Sequence, residues 1–106
     1  MSALQVAKYA LRTSQYQASF MIDICDLTLI GTLLEENGLV INLTKEYYQQ
    51  EIIEQPRARE ILLKCGIASL VGNEIVKQAI GMGLANTASI RRISGVPFLM
   101  IYKFSR

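Results

Sequence analysis

Histidine is absent from this 106-residue chain, and that absence removes much familiar hydrolytic chemistry. No Ser-His or Cys-His arrangement can form, and the commonest general base is missing. Cysteine is scarce as well. Cys25 and Cys65 stand far apart, with no Cys-x-x-Cys pair beside them, so a structural zinc site is not expected. Both thiols read as small, reduced hydrophobes. No apolar run approaches the roughly 18–20 residues that cross a bilayer, so no membrane association is expected. The opening MSALQVAKYALR has no basic patch ahead of a long apolar segment and does not read as a secretory signal, which leaves a cytoplasmic location as the expectation. Gly81-Met82-Gly83 lacks the strand–turn–helix setting of a dinucleotide fingerprint, and no GxxxxGK[ST] loop is present. The chain is therefore read as non-enzymatic, with no catalytic residues, no cofactor and no metal.

What is present points to a folded body. Only 19% of residues are charged while 51% are apolar, which argues against disorder. The length suits one core, so residues 1–106 are read as a single domain. Charge is unevenly spread. Through Glu54 there are seven acids (Asp23, Asp26, Glu35, Glu36, Glu46, Glu51, Glu54) and three bases (Lys8, Arg12, Lys45). From Gln55 onward eight bases (Arg57, Arg59, Lys64, Lys77, Arg91, Arg92, Lys103, Arg106) face two acids (Glu60, Glu74), and the halves sum to the net +2. Such asymmetry hints at a nucleic-acid or acidic-partner surface.

Hydrophobic periodicity supplies the elements. Ala7, Tyr9 and Leu11, then Phe20, Ile22 and Ile24, alternate in two runs joined by a polar link, which predicts a β-hairpin, although Val6 and Ala10 let the first run fit a helix as well. Asp26 stands where a carboxylate could cap a helix over 27–36, striped by Leu27, Ile30, Leu33 and Leu34 and stopped by Asn37-Gly38. LVINLT reads as a third strand. Gln55-Pro56 opens a helix running toward Gly66. Ile67, Leu70, Val71, Ile75, Ala79 and Ile80 lie on one face of a second helix, ended by a Schellman stop at Gly83-Leu84. Asn86 or Thr87 starts a short helix through Ser94, with Gly95-Val96 as a similar ending and Pro97 forbidding continuation. FLMIYKF then forms a last strand, apolar on both faces and so suited to a sheet interior. Together these give an α+β domain, with a small mainly antiparallel or mixed sheet of about four strands and two to four helices on one face.

Candidate chemistry is limited. Asp23, Cys25 and Asp26 are read as structural, as are Tyr47 and Tyr48, whose acidic neighbours Glu46 and Glu51 disfavour phosphate. Arg91 and Arg92 fall in the last turn of the short helix, where cations favour the helix dipole. If Lys103 and Arg106 converge on them, the four would attract phosphate; Arg57, Arg59 and Lys64 form a possible second patch.

The stretch from Ala68 to Phe98 resembles the archaeal domain-of-unknown-function family 424. The resemblance rests on Leu70-Val71-Gly72, Glu74, Ala79-Ile80, Gly83-Leu84 and Gly95-Val96-Pro97, with Cys25-Asp26 and Leu29-Ile30-Gly31 as a second block. It extends over roughly residues 6–104. The family pattern often has a histidine after Gly-Val-Pro and an asparagine before Leu-Val-Gly; this chain has Phe98 and Ser69. The resemblance implies a cytoplasmic protein associated with RNA, with the ribosome or with translation. The expected function is thus non-enzymatic RNA association, with ribosomal RNA as one candidate partner. The alternative is a protein-interaction module or homodimer, since VPFLMIYKF would expose much apolar surface at a sheet edge.

Overall fold

The computed structural model describes residues 6–17 and 19–103; Phe104 and Arg106 lie outside them. The expected hairpin is present as β1 (Lys8–Tyr16) and β2 (Ser19–Asp26), paired antiparallel with Leu11 opposite Ile24. Next come β3 (Leu33–Glu36), β4 (Leu39–Asn42), the one-turn α1 (Lys45–Tyr48), β5 (Glu51–Glu54) and α2 (Gln55–Lys64). The chain closes with β6 (Ile67–Val71), α3 (Asn73–Gly81), β7 (Arg91–Ile93) and β8 (Val96–Tyr102). Six strands form the main sheet in the order β5-β1-β2-β6-β8-β7, and β3 and β4 form a separate two-stranded ribbon. The sheet is mixed: β2 and β6 run parallel, and the remaining pairs are antiparallel. It is larger than the expected four strands because Ile67–Val71 and Arg91–Ile93, read as helix, are extended, and because Glu51–Glu54 adds an edge strand that was not expected.

Three such corrections share a cause. The segment 27–36 is a 3-10 turn (Leu27–Leu29) followed by β3, and Asn37-Gly38 is the hinge of the β3–β4 hairpin. Both hinge residues have positive φ, 51° and 84°, as a tight two-residue hairpin turn requires. Gly38→Ala is expected to cost about 1 kcal/mol through that backbone angle, measurable by thermal denaturation. The long predicted helix divides at Gly72: Ile67–Val71 is a strand and only Asn73–Gly81 is helical. In β6 both sheet faces are covered, so an apolar run passes equally for a helical stripe. Likewise 86–94 is a 3-10 turn (Thr87–Ser89) capped by Asn86, then β7, with Ser94-Gly95 as a second positive-φ hairpin hinge. Expectations that hold are α2 opened by Pro56, the Schellman stop, and β8 inside the sheet. In the stop, Gly83 N donates to Ile80 O and Leu84 N to Ala79 O.

Two apolar clusters flank the sheet. Helices α2 and α3 cover one face, burying Tyr9, Leu11, Ile22, Ile24, Leu62, Leu70, Ile75 and Leu99. On the reverse face the β3–β4 ribbon and α1 bury Leu34, Leu43 and Tyr48 against Ala10, Cys25 and Val71. The helices therefore do not all share one face, as the sequence had suggested.

Candidate nucleic-acid interface

Three groups of polar residues could carry function, and two are absorbed by the fold. Asp26, buried to 6% exposure, does not cap the segment that follows it. It reaches across the sheet to the first turn of α3, where its two oxygens accept from Glu74 N at 2.8 Å and Ile75 N at 2.9 Å. The residue at the helix start, Gly72, brings no side chain of its own and has φ +120°. A Cβ there would lie 2.4 Å from the Asp26 Cγ, so the glycine makes room for a cap supplied from β2. Burial raises the Asp26 carboxyl above its ordinary range, opposed by the two backbone donors.

Asp23 points to the reverse face. Its carboxylate lies 3.7 Å from the Arg12 guanidinium and accepts a long 3.4 Å hydrogen bond from the Tyr47 hydroxyl. Arg12 also stacks 4.5 Å from the Tyr47 ring centre, and Tyr48 packs edge-on against the same ring. Tyr47 thus carries a cation over its ring while staying 44% exposed. Burial raises the Asp23 carboxyl, with Arg12 pulling it back. The folded state therefore holds a proton on Asp23 more readily than the unfolded chain. Its contribution is complete below the unfolded value of about 3.9 and is lost as pH rises through the raised folded value. Acidification from neutrality through that range should stabilise the protein relative to Asp23→Asn, as urea titrations at stepped pH would show. Between the two aspartates, the Cys25 thiol is fully buried and pushed up to about 12 by desolvation, so it stays protonated and unreactive. Cys65 is likewise buried and raised.

The cations form the third group, and the fold arranges them otherwise than the sequence suggested. Arg91 and Arg92 lie on β7, not in a helical turn, so the dipole explanation does not apply. Neighbouring strand residues face opposite ways. Arg92 lines a groove of about 330 Å³ against α3, beside Lys77, whereas Arg91 is register partner to Phe98 of the reverse cluster. Lys103 lies five residues beyond Phe98, about 16 Å along β8, and donates instead to the Leu62 carbonyl of α2. The expected convergence of Lys103 on Arg91 and Arg92 does not occur, and Arg106 lies outside the described residues.

A different grouping replaces it. Arg57, Arg59 and Lys64 project from α2, Lys77 from α3, Lys103 is tied to α2, and Arg92 faces α3. Against these six stand Glu60, ion-paired with Arg57 at 3.5 Å, Glu74, Glu54 at the start of α2, and Glu51, which borders a depression with Arg57 and Lys64. On the reverse side the ribbon and α1 hold Glu35, Glu36 and Glu46 against Lys45. There Glu36 accepts from Ser94 N at 2.6 Å, placing an acid at the β7–β8 turn. Sequence reasoning missed Lys77, hidden mid-helix, and Phe20, which emerges beside Arg57 and Lys64. Among the described residues no cluster of three metal-ligating side chains occurs, and no helix is long and apolar enough to cross a membrane.

The joint between β2, Gly72 and α3 is built from the same residues that carried the family resemblance, and residues 14–104 match the family model described as "Protein of unknown function (DUF424)". The chain belongs to this family. A crystal structure of an uncharacterized conserved protein from Methanopyrus kandleri has a similar fold, with a TM-score of 0.80 over 94% of this chain and 95% of that one, at 21% identity. Likeness at that identity speaks for the fold alone. No curated protein matches the chain. Within this DUF424 member, Asp26 and Gly72 have sufficient structural reasons.

Proposed function

We propose that this DUF424 protein is a non-enzymatic RNA-associated factor that contacts phosphates with its helical face. The observation that carries the reading is the excess of positive charge around α2 and α3, six cations to four acids (Glu51, Glu54, Glu60 and Glu74), with the acids of the ribbon and α1 on the reverse side. Recognition would proceed by neutralising the backbone and fitting its shape, since no base-reading motif is visible in the sequence. Ribosomal RNA and a cytoplasmic location belong to the same proposal. Protein purified at low salt should carry RNA, raising its 260-to-280 nm absorbance ratio, and sequencing would identify that RNA. A ratio matching bare protein, with no recoverable RNA, would count against the reading.

A second reading, a protein-interaction module or homodimer, is supported by the lower reverse face. There Met100 and Tyr102 are 43% and 56% exposed. Among the described residues β7 pairs with β8 only over Val96–Phe98, so Leu99–Ile101 runs on beyond β7. Sedimentation at increasing protein concentration separates the two readings, because only the second requires a larger species without RNA.

A further inference from the structure

The geometry points to a binding pocket for one unpaired, amino-bearing RNA base at the outer end of α2, with Phe20 as its stacking surface. This rests on the RNA reading above and names what that face would hold. Phe20 is 57% exposed on the helix-covered face of β2, at the hairpin end, where α2 no longer covers the sheet. It borders a depression of about 280 Å³ whose rim includes Arg57, Lys64 and Glu51 and whose wall includes Ile61. Arg57, Ile61 and Lys64 recur at spacings of four and three, so one face of α2 presents cation, apolar contact and cation in a row.

That pattern fits a nucleotide better than it fits a protein side chain or an inorganic ion. An exposed ring offers a flat apolar face to a base, and flanking cations meet the phosphates on either side. The volume suits a single base and is too small for an extended stack. Glu51 would repel a bare phosphate cluster. As an exposed acceptor beside a stacking ring, it favours bases that carry an exocyclic amine. Duplex RNA buries its base faces, so the occupant is single-stranded.

Fluorescence anisotropy at low salt tests this with three strands of equal length: oligo(rA), oligo(rU) and an abasic ribose-phosphate strand. The wild-type protein should bind oligo(rA) about tenfold more tightly than the abasic strand, and more tightly than oligo(rU). Phe20→Leu, which keeps an apolar side chain and the fold, should abolish the advantage over the abasic strand while leaving abasic binding unchanged; Phe20→Tyr should retain it. Glu51→Ala should erase the preference for oligo(rA) over oligo(rU). The inference is overturned if wild-type protein binds the abasic strand as tightly as oligo(rA), if Phe20→Leu keeps the full advantage, or if oligo(rU) matches oligo(rA). Binding to none of the strands would overturn the RNA reading as well.

Discussion

Replacing Asp26 with alanine is expected to destabilise the fold by about 3 kcal/mol, the largest loss among polar substitutions considered. Two first-turn donors of α3, Glu74 N and Ile75 N, would lose their acceptor, and Ile75 is fully buried. Water cannot readily replace a buried carboxylate, so the penalty exceeds that of an exposed cap. For a domain of this size the melting temperature should fall by on the order of 15 °C. Asp26→Asn keeps one acceptor oxygen and should lose about half as much. Gly72→Ala attacks the same joint from the other side, adding a Cβ where φ is +120° and the Asp26 Cγ would be 2.4 Å away. Because part of that clash disappears when the carboxylate is removed, the double variant should be less unstable than the sum of the two singles. Additive losses would show that the cap and the glycine are not one device.

Reversing charge on the helical face is expected to have the largest effect on the proposed RNA binding. With Arg59, Lys64 and Lys77 all changed to glutamate, affinity for single-stranded RNA at low salt should fall on the order of a hundredfold. All three side chains are exposed, and no described hydrogen bond or ion pair uses their charged ends. The unfolding transition should therefore move little. A matched variant on the reverse side and edge, Lys8→Glu with Lys45→Glu and Arg91→Glu, should bind nearly as wild type does. Equal losses in both variants, measured by anisotropy, would mean that net charge governs binding and the helical face does not.

Much of the fold was legible where one periodicity dominated. The β1–β2 hairpin alternates cleanly, α2 is announced by Pro56, and Gly83-Leu84 closes α3 as expected. The failures cluster where a strand is covered on both faces or where a hairpin hinge resembles a helix stop. In β6, Ala68 and Leu70 bury toward the helices and Val71 toward the ribbon, so no polar alternation betrays the strand. Asn37-Gly38 and Ser94-Gly95 both carry positive φ, which suits a helix ending and a tight hairpin equally. The partner of Asp26 was unreadable because its helix begins far along the chain, across a parallel strand pair. The placement of the cations was not legible from composition: Arg57, Arg59, Lys64 and Lys77 lie on α2 and α3 among Glu51, Glu54, Glu60 and Glu74, while Arg91 and Arg92 divide between the two sides of β7.

The central claim is that RNA meets the helical face, and amide chemical-shift mapping by NMR during titration with single-stranded RNA tests it most directly. Salt-sensitive shifts should gather in α2, α3 and β7 and around Phe20, leaving the β3–β4 ribbon and α1 unmoved. Shifts concentrated on the ribbon, on α1 or along Met100 and Tyr102 would contradict it.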